Sequence, residues 1–255
     1  NSFWNGNMVG GSTNLMSGYF HRMKPNDFKL LTTYGKIEGA NVVDWPIDYK
    51  EMEPYFDKVE KIVGISGRVV KHSTLELRSN NDFPYPPLAE NIVASWIDKA
   101  AEELGYFTVP IPRAILSRPD NDRLSCFYSN YCGSYGCTSD AKGSARVALL
   151  NKAITTGNCT IIPNSKVYKL ETNGNGKINN AHYYDTEGNK QHVKAGLFVV
   201  ACQAVETSRL LLMSKNEEFP NGLANNSGLV GKNLIFSAGG AGSGKFIYDN
   251  LDKND

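Results

Sequence analysis

Apolar positions along this chain change period several times. Between Asp48 and Gly64 they fall at helical spacing: Tyr55, Val59, Ile62 and Val63 share a stripe, Pro54 suits a first turn and Gly64 a stop. A second helix is expected from about Leu88 to Leu104. Ile92, Val93, Trp96, Ile97, Ala100 and Leu104 form its stripe, and Gly105 stands where a left-handed cap falls. Residues 66–87 carry no period, and Pro84, Pro86 and Pro87 make them a stiff extended connector. Ser139-Asp140 can cap a third helix running to about Thr156, with Val147, Leu150 and Ile154 on its apolar face and Gly157 ending it. The period then drops to two. Strands are expected at 160–170, 178–185 and 192–201, joined by the turns Asn173–Gly176 and Thr186–Asn189, which gives a three-stranded meander. Leu197-Phe198-Val199-Val200 is apolar throughout, as a strand covered on both faces would be, and leads through Ala201-Cys202-Gln203-Ala204 into a helix from Val205 to Ser214. The order of elements predicts a mixed α/β (α+β) chain.

Composition narrows the possible partners. In 255 residues, 27 basic and 26 acidic side chains leave a net charge of 27 − 26 = +1, so no nucleic-acid partner is expected. With 41% hydrophobic and 21% charged residues the chain has enough apolar material for a core. No apolar run approaches the ~18 residues of a membrane span, so no transmembrane segment is expected. The sequence starts at Asn1 with no charged-then-apolar leader before Phe3, which reads as the start of an internal piece.

Four stretches carry candidate chemistry. Residues 1–25 hold few charges and centre on Gly10-Gly11-Ser12-Thr13-Asn14, which can offer backbone N–H groups and hydroxyls to a phosphate or a polar ring; an ordinary glycine-rich turn is the alternative. The apolar strand ending at Ala201, with a helix start behind it, has the layout in which open α/β sheets bind nucleotides, or equally that of plain helix-on-strand packing. Gly239–Lys245 nearly spells a phosphate-binding loop, but Phe246 stands where Ser or Thr must hold magnesium. Of five cysteines, three fall within twelve residues as Cys126-x5-Cys132-x4-Cys137, with Gly133 and Gly136 between them. Such thiolates can ligate an iron–sulfur cluster, three without a fourth suiting a three-iron cluster, or can stand as reduced structural thiols. His21, His72, His182 and His192 show no triad pairing.

Taken in order, these segments resemble the glucose–methanol–choline (GMC) oxidoreductases, flavin enzymes that oxidise alcohols and sugars, and within them the bacterial gluconate, sorbitol and glucose dehydrogenase large subunits. The resemblance rests on Val9-Gly10-Gly11-Ser12-Thr13 with Arg22 and Pro25–Phe28, on Asp44-Trp45-Pro46-Ile47 with Glu53-Pro54-Tyr55, and on Cys137–Lys142. It continues through Asn164–Val167, Glu206–Leu212 and Gly228–Leu234. It implies part of an FAD/NAD(P)-binding Rossmann-like domain over 1–235, with a substrate domain starting at 236–255. It further implies that Gly10, Gly11, Ser12, Thr13 and Asn14 lie along the FAD pyrophosphate and flavin, that the Val167 backbone pairs with adenine, and that Ala201 and Cys202 sit against the adenosine. Cys126, Cys132 and Cys137 match dehydrogenase cysteines that hold a cluster, here of the 3Fe-4S type because Ser129 replaces a further cysteine. The substrate class is an alcohol, sugar or sugar acid. A cytochrome or small subunit is the implied electron partner; the location is left open, periplasmic or membrane-associated by family analogy or else cytoplasmic.

The departures are as specific. Neither a Gly-x-Gly-x-x-Gly fingerprint with its ribose-binding acid nor the family's catalytic histidine occurs in these residues, Leu15 excludes a covalent flavin link at that position, and Ser208 replaces a frequent proline. These residues by themselves are therefore expected to bind flavin poorly and to oxidise no alcohol. A non-catalytic iron–sulfur carrier and an inactive scaffold of the same fold are the competing expectations.

Overall fold

A computed structural model describes residues 6–73, 75–129, 132–236 and 243–244. The chain divides into two compact units, Asn1–Pro163 and Asn164–Asp255, of mixed α/β character. The expected start of a substrate domain at 236–255 and the Gly239–Lys245 stretch lie, but for Phe236, Ser243 and Gly244, outside the described residues.

The first unit is organised around residues 113–116. Ala114, Ile115 and Leu116 are fully enclosed, and single bridges tie this segment outward, Arg113 to Tyr19 and Ser66 and Ile115 to Lys142. Backbone bonds from Ala114 N to Gly18 O, Leu116 N to Ala141 O and Gly143 N to Ala114 O hold the glycine-rich region and residues 141–143 against it. Helix α1 (Leu30–Tyr34) is short and was not anticipated from the pattern. Helix α2 (Tyr49–Val63) agrees with expectation: Asp48 and Glu51 form a reciprocal capping box and Gly64, at φ 82°, closes the helix. Helix α3 (Ile92–Glu103) begins four residues later than expected because the Asn91 side chain caps it by accepting from Ala94 N.

The third expected helix is corrected at its start. Residues 139–144 are not helical; a π turn at Arg146–Leu150 runs directly into α4 (Asn151–Thr155). The bonds from Leu116 N to Ala141 O and Gly143 N to Ala114 O commit this segment to the core, and Asp140 takes a left-handed φ of 52°. Long-range backbone pairing there replaces the capping that local sequence favours.

In the second unit, strands β1 (Lys166–Thr172), β2 (Ile178–Tyr184) and β3 (Lys190–Lys194) form the expected antiparallel meander in the order β1-β2-β3. Helix α5 (Ala204–Met213) packs Leu210 with Leu170 and Leu223. The Ser214 hydroxyl, fully buried, accepts from Leu170 N and donates to Leu210 O, fastening the helix end to β1. Two strand expectations are corrected. The first strand starts at Lys166 rather than 160, after Pro163, and the third ends at Lys194 rather than 201. Leu197 and Val199 are 80% and 81% exposed, so the apolar run is not a doubly covered strand. A parallel strand exists only by pairing with neighbours, and no described strand of this chain lies beside it.

Candidate functional site

The glycine-rich stretch forms a 3-10 turn, Gly11–Asn14, entered through Gly10 at φ 91°. Its polar side chains are engaged inside the chain. Ser12 Oγ accepts from Gly6 N (2.8 Å), and Thr13 Oγ1 donates to Gly10 O (2.6 Å) and accepts from Ala145 N (2.9 Å). Asn14 Nδ2 donates to Val9 O (2.8 Å) and Gly11 O (3.2 Å). These side chains brace the turn. Gly10 is required by its neighbours as well as by its φ, since a Cβ there would stand 2.9 Å from Arg146 Cβ and 3.1 Å from Arg146 N.

Beside this turn opens a cavity of about 460 Å³, lined by Val9 and Asn14 from the turn, Thr138 and Asp140 from the cysteine segment, and Ser144 and Arg146 beyond it. That is the size range of small-molecule sites. The Arg146 guanidinium, half exposed on this wall, is held by Asp140 at 2.6 Å. From the glycine-rich stretch Met8, Val9 and Asn14 reach this cavity, Arg146 and Lys142 supply its cations, and the Asp140 carboxylate stands against Arg146.

A second cavity, of about 200 Å³, is lined by all three clustered cysteines, with Ile115, Phe127 and Tyr128 as its apolar wall. Cys137, Thr138 and Lys142 line both cavities. Each sulfur has its own surroundings. Cys126 Sγ accepts from Tyr128 N at 3.3 Å, and Cys137 Sγ lies 3.4 Å from Ser139 Oγ. Burial pushes the Cys137 thiol up, but hydrogen bonds from the Ser139 hydroxyl and from the N–H groups of Lys142, Ser139 and Ala141 outweigh it and hold the thiol below its ordinary value. Among the described residues no three His, Cys, Asp or Glu side chains are grouped to hold a metal ion. A three-iron cluster makes a different demand, since each thiolate ligates a different iron.

In the second unit, Val167 and Cys202 line one small cavity of about 70 Å³ together with Glu206 and Arg209; Ala201, just before Cys202, is exposed. Val167 pairs with Tyr183 next to a bulge in β1. The structure therefore brings Gly10–Asn14 together with the cysteine segment, and Val167 together with Cys202.

Arg146 and Lys142 were missed as site residues. Their signal is faint but present: two cations in Ala141-Lys142-Gly143-Ser144-Ala145-Arg146, where every neighbour is too small to shield a charge from the interior.

The GMC oxidoreductase family model matches residues 1–237. Among curated proteins, the chain is 33% identical to the fructose dehydrogenase large subunit of Gluconobacter japonicus over 89% of this chain and 40% of that protein. It is 35% identical to the 2-methyl-1,2-propanediol dehydrogenase of Mycolicibacterium austroafricanum over 90% of this chain and 40% of that one. To the gluconate 2-dehydrogenase flavoprotein of Pantoea cypripedii it is 26% identical, over 92% and 42%. The chain thus spans about two fifths of the length of these relatives. A solved FAD-dependent oxidoreductase from Chaetomium thermophilum shares the fold at a TM-score of 0.50 and 17% identity, over 81% of this chain and 34% of that one.

Proposed function

Because this chain belongs to the GMC oxidoreductase family, we propose that it is part of an FAD-dependent oxidoreductase acting on the CH–OH group of a sugar, a sugar acid or another alcohol, with an electron acceptor other than oxygen. The observation that supports this reading is the cavity beside the glycine-rich stretch, which Val9, Asn14 and Arg146 line together. Bound there, FAD supplies the hydride acceptor for the alcohol carbon. The chain's own residues bind and orient. Gly10 and Gly11 keep the turn free of side chains, Arg146 offers its charge to the diphosphate, and Asp140 fixes where that charge stands. Val167, Ala201 and Cys202 are proposed for the adenosine on the family resemblance, Val167 and Cys202 lining a cavity within the second unit itself. The Gluconobacter relative is described as a large subunit, which supports a small subunit or cytochrome as the electron partner.

The test is a titration of the complete cofactor-free enzyme, of which this chain is proposed to be a part, with FAD and with riboflavin, followed by flavin fluorescence. FAD is expected to bind, and Arg146→Met to weaken it by roughly ten- to a hundredfold, the worth of a hydrogen bond to a charged group, while leaving riboflavin unchanged. Equal loss for both ligands, or no FAD binding by the parent protein, refutes the assignment.

A second reading concerns the cysteine cavity, and the observation favouring it is that Cys126, Cys132 and Cys137 all line the same 200 Å³ space. They would hold a 3Fe-4S cluster that accepts electrons singly. Iron and acid-labile sulfide in a near 3:4 ratio, lost in Cys137→Ser, are expected. Protein purified anaerobically and containing neither would exclude it.

A further inference from the structure

Lys142 is 2% exposed, yet among the described residues no carboxylate pairs with it. Its ammonium donates instead to four backbone carbonyls: Asn14 O at 3.3 Å, Met16 O at 2.8 Å, Cys132 O at 2.8 Å and Tyr135 O at 2.7 Å. Two acceptors belong to the end of the glycine-rich turn and two to the cysteine segment, more than a hundred residues away in sequence. The lysine backbone is anchored by its bridge to Ile115 in the core, so the stem starts from a fixed point and the charge is delivered to a fixed place. A buried ion is costly unless dipoles converge on it, and four carbonyl oxygens around one compact cation meet that need. The reverse also holds: without the cation the four oxygens repel one another and the two segments part.

We propose that Lys142 is the positioning residue of the flavin cavity, its ammonium acting as a caged cation that pins the Gly11–Asn14 turn to the cysteine segment and so fixes the wall the two cavities share. This deepens the FAD reading, on which its last consequence rests. The pin itself is a property of the polypeptide without any ligand.

The chemistry specifies what can replace it. The cage suits a compact point charge with N–H donors, which the flat guanidinium fork of arginine does not supply. Lys142→Ala removes the stem beyond Cβ and leaves room for propylammonium, which restores the missing atoms and the charge. Lys142→Met keeps the stem's packing, lacks the charge and leaves no such room.

Hydrogen exchange of ligand-free protein is measured at residues 11–18 and 132–137, with the meander 166–194 as internal reference. Exchange in both segments is expected to speed up at least roughly tenfold in Lys142→Ala and Lys142→Met, with the meander unchanged. Propylammonium should reverse this in Lys142→Ala only, tetramethylammonium at equal ionic strength should reverse it in neither, and Lys142→Arg should behave like Lys142→Met. FAD affinity should fall and recover in the same pattern. Unchanged exchange, acceleration spread equally over the meander, or rescue by tetramethylammonium overturns the proposal. Loss and rescue of exchange in a protein that binds no FAD upholds the pin and refutes the flavin reading instead.

Discussion

Replacing Glu60 by glutamine is expected to cost about 3–5 kcal/mol of stability and to lower the melting temperature of the first unit by roughly 10 °C, because it removes the shared anion of a buried charge network. Glu60 is 2% exposed, and its carboxylate is gripped by two guanidinium forks. Arg22 Nε and one terminal nitrogen donate at 2.8 and 2.7 Å, and both terminal nitrogens of Arg78 donate at 2.8 and 2.7 Å. Glu53 takes the remaining Arg22 nitrogen at 3.0 Å, and the Arg78 guanidinium stacks on Phe83 at 3.9 Å. Three separate segments meet here: the loop at Arg22, helix α2, and the connector at 76–83. Glutamine removes the anion the two guanidinium groups share and leaves Arg22 with Glu53 alone and Arg78 with Glu76 alone. Thermal and urea unfolding of Glu60→Gln measure the loss, and a cost below about 1 kcal/mol would show the network to be dispensable.

The same network sets a pH dependence. Burial pushes the Glu60 carboxyl up, but the hydrogen bonds from Arg22 and Arg78 and their charges outweigh it, so the native value lies below the ordinary 4.5. A carboxyl depressed in the folded state binds fewer protons there than when unfolded, so its stabilisation is complete above about 4.5 and disappears as pH falls through the lower native value. Wild-type stability should therefore drop more steeply below pH 4.5 than that of Glu60→Gln, which has no such proton to take up. Parallel acid profiles would contradict this.

Gly10→Ala is expected to reduce FAD affinity at least about tenfold and to lower the melting temperature by several degrees. An L-residue held at φ 91° pays on the order of 1–2 kcal/mol, and the added Cβ would meet the Arg146 backbone nitrogen at 3.1 Å, which has no room to yield. The strain is confined to the turn and to Arg146, the residue assigned to the diphosphate. Gly11→Ala is the comparison. Its φ of 61° carries a similar backbone cost, but nothing lies closer to the new Cβ than Gly6 O at 4.0 Å. The Gly10 variant should therefore be clearly the worse binder in the FAD titration, and equal losses would place the effect in the backbone angle alone.

How far the sequence could be read depended on the range of the interactions involved. Helix α2 was legible nearly to the residue because its determinants are local: Asp48 and Glu51 cap it, and Gly64 adopts the left-handed turn that ends it. The meander was legible for the same reason, its turns lying within a few residues of the strands they join. The helix expected from Ser139 failed because Ala141 and Gly143 bond to residues 114–116. The 66–87 connector was legible as extended, but not that Arg78 would anchor it in the core.

At the site, the chain order of motifs was enough to identify the family. The sequence by itself thus determined the elements whose signals are local, the cofactor class proposed and the residues of the glycine-rich turn. Tertiary structure alone decided that Ser12, Thr13 and Asn14 brace that turn, that Arg146 stands on its cavity wall, and that Lys142 binds it to the cysteines. Those outcomes depend on where buried charges and backbone dipoles meet after folding, and residues 128 positions apart leave no periodic trace of that meeting in the sequence.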